Sequence, residues 1–510
     1  MKLVNCICSL LMGLGLILSL TACSPELPVK DSKTSLQWFQ QGAQSVADRK
    51  IQLDSAYANT QKAKNIIFVL GDGMGVSTLT AARIFSGQQH GMLGEEYALS
   101  FEQFPYSALV KTYNVDLQTP DSAGTMTALM TGVKTNEGII SLPHTVDRGS
   151  CLAAQNQKRL PTLIDLAKAK GKSTAMVTTA RVTHATPATT YAHSSDRNWE
   201  SDDALSEPAK NNGCPDIASQ WVDGPRSSLD ILLGGGRRHF LPKQQGGKRL
   251  DQRNLIADWK RKGHYVATLT ELNELAGQHV SEHSDSDKGV NEVPWLGLFA
   301  SSHMAYSHER PAEQPGLQQM TAAALKRLQT NKNGYALVIE SGRIDHAHHE
   351  GIAFKALSET QELHETVAWL LTQVDLNETL IVVTADHSHT LTLGGYTTRG
   401  NPILGNVVAN DRYGRPKDKT SVDNHGKPYT SLSYRDGPGA ISMRADGLDE
   451  DGHHEDVHAI DYQQIALVPM DYETHGGEDV ALYAIGPQSQ LLSGTLEQHW
   501  VFHALKFALK

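Results

Sequence analysis

Cysteine is scarce in this sequence, five among 510 residues, and so are proline (20) and aromatic side chains (6%). So few prolines beside 43 glycines and a 20% charged fraction exclude a collagen-like chain and argue against a disordered one. A long membrane-spanning run is missing too. The apolar stretch from Ile7 to Leu20 covers 14 residues, against the roughly 20 that a transmembrane helix needs. The chain also lacks a basic excess: 46 Lys+Arg against 56 Asp+Glu leave a net charge of −10. That balance argues against nucleic acid as a binding partner, because phosphate backbones are held mainly by Lys and Arg. The length suits two or three domains, or one large α/β domain with insertions. What is plentiful is histidine, 23 residues, the side chain that most often binds metal or carries a proton near neutral pH.

The N-terminus points to export. Lys2 followed by the Ile7–Leu20 stretch reads as a secretory signal. The following Leu20-Thr21-Ala22-Cys23 resembles a bacterial lipoprotein lipobox, which implies a signal peptide over 1–22 and a lipid-bearing Cys23. The protein is then expected at the periplasmic or cell-surface side of a bacterial membrane, anchored through Cys23. Residues 23–62 are polar and read as a lipid-proximal tether with a helical arm. Cys6 and Cys8 leave with the signal, so Cys151 and Cys214 remain. In an oxidising compartment they form either one disulfide or two buried free thiols.

From Lys64 onward short aliphatic runs alternate with helical patterns. Asn65–Leu70, Ala175–Thr179, Leu229–Leu233, Tyr335–Ile339, Thr379–Thr384 and Val480–Ile485 are strand-length and apolar on both faces, as buried parallel strands are. Helices are expected over Pro161–Lys170, Leu317–Gln329, Phe354–Val374 and Glu497–Leu509. The alternation predicts an α/β fold, a mostly parallel central sheet with helices on both faces. The stretch 395–470, rich in Gly, Asp and His, breaks the pattern and reads as an inserted surface subdomain. It divides a catalytic α/β domain into 63–394 and 471–510. No internal repeat is evident.

The acids and imidazoles fall at strand ends, where sites form in open parallel sheets. Asp72 follows the first strand, and Glu340 leads into Ser341-Gly342-Arg343-Ile344-Asp345-His346-Ala347-His348-His349. Asp386-His387-Ser388-His389 follows the fifth strand, and His475 precedes the last. Asp345 and His349, four apart, share one face of a helical turn. Asp and His without thiolates suit zinc or a comparable divalent ion. Ser122, in Thr119-Pro120-Asp121-Ser122-Ala123-Gly124-Thr125, opens a helical pattern over Met126–Met130. It reads either as an N-cap or as a nucleophile activated beside a metal and at the anion-favouring end of a helix. It is not in a GxSxG elbow, which disfavours a serine esterase.

Taken in order, these stretches resemble the alkaline phosphatases, with motifs like those of the animal enzymes. The resemblance rests on Gly71–Gly75, Asp121–Thr125, His184–Pro187, Asp196-Arg197, Leu232–Arg237, Glu340–His349, Thr384–His389 and Thr474–Glu478, collinear over most of residues 65–485. It implies an alkaline-phosphatase-like fold with the 395–470 insertion as a crown-like subdomain. The implied activity is hydrolysis of small phosphate monoesters through a phosphoserine at Ser122, with Arg197 clamping two phosphate oxygens. One zinc would be held by Asp345, His349 and His475, and a second by Asp72, Asp386 and His387 next to Ser122. Asp72, Thr186 and Glu340 would hold a third ion, usually magnesium, with His184 and His346 beside it where some bacterial members carry Asp and Lys. The resemblance also implies a Cys151–Cys214 disulfide and a homodimer. A structural calcium site is not carried over, because Ala300 follows Gly297-Leu298-Phe299 where animal members have an acid. A phosphodiesterase or sulfatase of the same superfamily, or a non-catalytic zinc-binding surface protein, are the alternatives; Ser122 and Arg197 speak against both. From sequence alone, Arg197 has a plainer reading as a surface residue paired with Asp196 or Asp202.

Overall fold

Asn65–Gly71 (β1) has a buried residue at every position, and so do Tyr335–Ser341 (β7) and Thr379–Ala385 (β8). Strands of this kind are stable only in the middle of a sheet covered on both faces. The computed structural model, which describes residues 35–156, 159–224, 229–277, 293–440 and 456–510, places them there. The expected signal peptide over 1–22, Cys23, the first part of the expected tether and residues 441–455 of the stretch read as an insertion lie outside the described residues. The expected helical arm is present as the Ser35–Ala58 helix.

Around these three strands stand Tyr106–Lys111 (β2), Ser173–Arg181 (β3), Ile231–Gly235 (β4), His264–Val266 (β5) and Trp295–Leu298 (β6). Five short strands follow: Ser388–His389 (β9), Leu391–Leu393 (β10), Leu432–Gly437 (β11), Ala466–Pro469 (β12) and His475–Gly476 (β13). Val480–Ile485 (β14) and Gly494–Glu497 (β15) complete the main sheet, whose order is β15-β2-β14-β8-β1-β7-β3-β4-β6-β5. One group of helices, Ser122–Thr131, Leu163–Ala169 and Gln498–Ala508, packs together against it. A second group comprises Val76–Gln89, Leu317–Leu328 and Ala353–Leu371.

Three sequence expectations change. Val480–Ile485 is not a buried parallel strand: β14 runs antiparallel to both β8 and β2, and its residues alternate between buried and half-buried. The Leu229–Leu233 run shifts to Ile231–Gly235, and Asp230 just ahead of it accepts the Thr174 N–H of β3 with its carboxylate at 2.9 Å. The chain also does contain a short repeat, in the insertion. Asp411-Arg412-Tyr413-Gly414-Arg415-Pro416 and Asp423-Asn424-His425-Gly426-Lys427-Pro428 form the same turn twice. In each the Asp Oδ1 accepts two backbone N–H groups, from Tyr413 and Arg415 at 2.8 and 2.9 Å and from His425 and Lys427 at 2.8 and 2.9 Å. Glycine stands at the left-handed position both times, with φ of 74° and 77°.

The cysteine alternatives resolve to a disulfide. Cys151 and Cys214 are bonded, with Cα atoms 6.0 Å apart, and pack with Trp199, Leu205 and Ala209. Closing a loop of 63 residues restricts the unfolded chain by about 4 kcal/mol in chain-entropy terms. That loop carries His184, Thr186 and Arg197.

Candidate active site

Register brings the acids together. Gly71, the last residue of β1, lies beside Ser341 of β7 and Ala385 of β8. The residues at the ends of the three strands, Asp72, Glu340 and Asp386, therefore emerge side by side at one sheet edge. Because β14 is antiparallel, it starts at this same edge, and His475 just before it arrives there as well. A tight turn follows Asp72. Gly73 has φ of 68°, Asp386 Oδ1 accepts its N–H at 3.1 Å, and a Cβ there would collide with the His389 ring.

The helix that carries Ser122 settles which of its two readings holds for capping. The N-cap is Asp121, whose carboxylate accepts the N–H groups of Ala123 and Gly124. Ser122 is the first helical residue, and its Oγ is left to meet His387 Nε2 at 3.1 Å. Asp121 also fixes Arg197, accepting Nη1 at 3.0 Å, while Nη2 lies 3.2 Å from His184 Nε2. Asp196 instead faces Arg148, so Arg197 is not the surface ion pair that the sequence left open. Burial pushes the Asp121 carboxyl up, but Arg197 and the Gly124 and Asn114 donors outweigh it and hold it below the usual range.

Nitrogen and oxygen lone pairs converge beside Ser122 in three nests. In the first, Asp345 Oδ1 is 3.3 Å from His349 Nε2 and 3.4 Å from His475 Nε2, and the two imidazole nitrogens are 3.2 Å apart. In the second, His387 Nε2 is 3.4 Å from oxygens of both Asp72 and Asp386. In the third, Asp72, Glu340 and His184 place ligand atoms within 4.8 Å of one another, so His184, expected as a neighbour, offers its own nitrogen. Thr186 Oγ1, Glu340 Oε1 and both oxygens of Asp72 are buried without a hydrogen bond. His346 stands behind His184, ring centroids 5.4 Å apart, and is followed at 3.8 Å by His303, which sequence reasoning did not single out.

The electrostatics of these nests call for cations. Burial, and then the charges of Asp386, Asp345 and Glu340, raise the Asp72 carboxyl well above its usual value. Burial and Asp386 drive Glu340 up to about 8 despite its Thr178 hydrogen bond. Carboxylates that repel one another in a dry site, with oxygens left unpaired, are what a divalent ion relieves. Burial keeps His387, His184 and His346 neutral, the form that can donate a lone pair. The donor set therefore fits metal.

Two residues missed in the sequence complete the neighbourhood. His389 Nε2 lies 2.9 Å from Asp345 Oδ1 and its Nδ1 2.6 Å from Glu473 Oε2. Burial would lower this imidazole, but Glu473 and Asp345 on either side raise it to about 10. His389 closes the Thr384–His389 stretch, and Glu473 stands immediately before Thr474–Glu478. The signal for Glu473 was an acid two residues before a ligand histidine.

A serine freed from capping, a guanidinium held by the neighbouring Asp121 and clustered carboxylates and imidazoles define a metal-binding hydrolase that acts on anionic esters. A family model described as "Alkaline phosphatase" matches residues 63–510. The tissue-nonspecific alkaline phosphatase of Gallus gallus is 41% identical over 506 residues, covering 95% of this chain and 91% of that protein. That of Homo sapiens is 38% identical over 516 residues, with 97% and 92% covered. Solved structures share the fold. The alkaline phosphatase of Thermus thermophilus superposes with a TM-score of 0.60 at 23% identity over 89% of this chain and 93% of that one. The enzyme of the Antarctic bacterium TAB5 does so with 0.57 at 19% identity, over 88% and 98%. This chain belongs to the alkaline phosphatase family and is a phosphoric monoester hydrolase. Among the described residues, no helix is long and apolar enough to cross a membrane.

Proposed function

We propose that the chain hydrolyses phosphate monoesters through a phosphoserine at Ser122, with two zinc ions and a third ion, magnesium, held by the three nests. The observation that carries this is Ser122 Oγ, free of capping duty and 3.1 Å from His387 Nε2, beside a cluster in which both Asp72 oxygens and Glu340 Oε1 are buried without hydrogen bonds. Asp345, His349 and His475 would hold one zinc, and Asp72, Asp386 and His387 the other. Asp72, Glu340 and Thr186, with His184 close by, would hold the third; a variant of the TAB5 enzyme is described with magnesium bound in its M3 site. When bound, such ions supply Lewis acidity, lowering the pKa of a hydroxyl and balancing charge on phosphoryl oxygens.

The chain's own residues do the rest. Ser122 Oγ attacks phosphorus in line, a P–O bond forms to Oγ, and the ester P–O bond breaks to release the alcohol. Water then cleaves the phosphoserine, restoring the hydroxyl and freeing inorganic phosphate. The helix start behind Ser122 favours the incoming dianion, and Thr125 Oγ1 holds Asp386 Oδ2 at 3.1 Å. Arg197 faces two phosphate oxygens with a planar fork, a match that a Lys ammonium cannot make. Its Asp121 partner keeps the fork aimed.

Chelation is expected to abolish hydrolysis of p-nitrophenyl phosphate and zinc to restore it, with magnesium adding less. Neither the bis-ester nor the sulfate should be turned over at a comparable rate. Full activity in a demonstrably metal-free preparation would sink the reading, and faster bis-ester hydrolysis would favour a phosphodiesterase.

Arg197→Ala removes charge-assisted contacts that are each about 1.5–3 kcal/mol. Phosphate inhibition and kcat/KM should weaken together by roughly tenfold to a few hundredfold, with metal content unchanged. Arg197→Lys should recover only part. Inhibition constants for inorganic phosphate that are equal across wild type and both variants would remove Arg197 from the site.

The lipobox-like Leu20-Thr21-Ala22-Cys23 supports a lipid anchor at Cys23 and an exported enzyme, and family resemblance supports a homodimer. Membrane fractionation of Cys23→Ser tests the anchor.

A further inference from the structure

We infer that Glu473 is the positioning residue for the metal held by Asp345, His349 and His475, fixing Asp345 through its buried carboxylate and His349 through its backbone carbonyl. The inference rests on the reading that those three side chains bind a divalent ion. Glu473 itself is fully buried and comes close enough to His349 and His389 to be considered a ligand. Its oxygens are already committed elsewhere. Oε1 accepts from the Thr390 N–H at 2.6 Å and the Thr390 hydroxyl at 2.7 Å, and Oε2 accepts from His389 Nδ1 at 2.6 Å.

Two of the ligands trace back to this residue by separate routes. His389 bridges the two carboxylates, and its Nε2, 2.9 Å from Asp345 Oδ1, holds that ligand in one orientation. The Glu473 carbonyl oxygen accepts from His349 Nδ1 at 2.5 Å, which fixes the tautomer and leaves the Nε2 lone pair pointing into the nest. His475, two residues further along the chain, is held separately, its Nδ1 lying 2.7 Å from the Pro120 carbonyl oxygen. The intervening Thr474 is clamped by Asp436, which accepts its N–H at 2.8 Å and its hydroxyl at 2.9 Å. Turning or neutralising the Glu473 carboxylate would release Asp345 first and disturb the carbonyl that holds His349.

A buried glutamate that served stability alone would act through Thr390 as much as through His389, and would leave metal affinity untouched. The test compares full-length Glu473→Gln, His389→Gln, Thr390→Val and Asp345→Asn by zinc stoichiometry and by competition with a chromogenic chelator, with thermal melting alongside. E473Q and H389Q should each weaken one of the two tight zincs by roughly tenfold to a hundredfold, the usual effect of losing a partner behind a ligand. The other zinc should bind as in the wild type. T390V should leave both affinities unchanged, and D345N should lose the same zinc outright. If D345N keeps both zincs, the metal assignment fails. If D345N loses one while E473Q and H389Q bind both normally, or if T390V weakens zinc as much as E473Q, the positioning role of Glu473 fails. Should E473Q not fold, H389Q breaks the same link from its other end and decides alone.

Discussion

Ser122→Ala is expected to abolish the phosphoenzyme and lower kcat/KM by at least about a thousandfold, since nucleophile losses in such assemblies run to several orders of magnitude. The fold should hardly notice. Capping of the Ser122–Thr131 helix belongs to Asp121, so losing the hydroxyl removes no cap bond, and alanine is the best helix former. Metal content should also survive, because Asp72, Asp386 and His387 still provide the nest against which Oγ rests. Asp121→Ala makes the contrasting case. It removes the cap, at about 1 kcal/mol, and leaves Arg197 without the oxygen that holds Nη1 at 3.0 Å, so stability and phosphate affinity should fall together. Quenching turnover in acid with labelled substrate and locating the label decides the first point: the wild type should carry phosphate on Ser122 and the alanine variant none. Acid-stable label on a different residue of the wild type would overturn the assignment.

How far the sequence could be read follows from what each signal encodes. Strands buried on both faces announce themselves as unbroken aliphatic runs, so β1, β3, β7 and β8 were legible within a residue or two at most boundaries. Strand direction leaves no such trace. The runs in β8 and β14 look alike, yet one is parallel to β1 and the other antiparallel to β8. That orientation is what brings His475 to the edge where Asp72, Glu340 and Asp386 stand. β2 was missed because it alternates, with Ser107, Leu109 and Lys111 outward, and a short alternating strand is easily read as loop. The helix over Val76–Gln89 was missed for want of a charged cap or a clear apolar stripe; its N-cap is Gly75, with no side-chain bond. In the site, ligand residue types at strand ends were visible, whereas His389 and Glu473 act by touching other side chains across 84 residues of chain. Pairing at that range leaves no local pattern.

The metal-free protein should lose stability as the pH rises from 7 to 9, and the metal-loaded protein should not. Buried groups with raised folded pKa values set the sign, among them Glu340, Asp72 and His389. Glu340 has its carboxyl raised to about 8, by burial and then by Asp386, and Asp72 is also raised well above its usual value, again by burial first. An unfolded carboxyl titrates near 4.3, so above that pH the folded apo chain retains protons that the unfolded chain has released. Stability then falls until the folded pKa is passed. His389, raised to about 10 by Glu473 and Asp345 against its burial, acts alike: its contribution is complete below about 6.5 and disappears as pH climbs through 10. The neutral buried imidazoles of His184, His346 and His387 oppose this slope only below about 6.5, where their unfolded counterparts take up protons. Between pH 7 and 9 they are silent. Each group contributes up to about 1.4 kcal/mol per pH unit, so the apo protein should lose on the order of a few kcal/mol over this window. Bound divalent ions invert the balance, because they need the same carboxylates ionised and the same imidazoles neutral; the loaded protein should instead lose metal, and stability with it, toward acid. Thermal melts from pH 5.5 to 9 in excess chelator, repeated with zinc and magnesium, read out both slopes. A chelated sample whose melting temperature stays level or rises between pH 7 and 9 would show that the carboxylate nest is relaxed without metal, and the charge argument for its ions would fall.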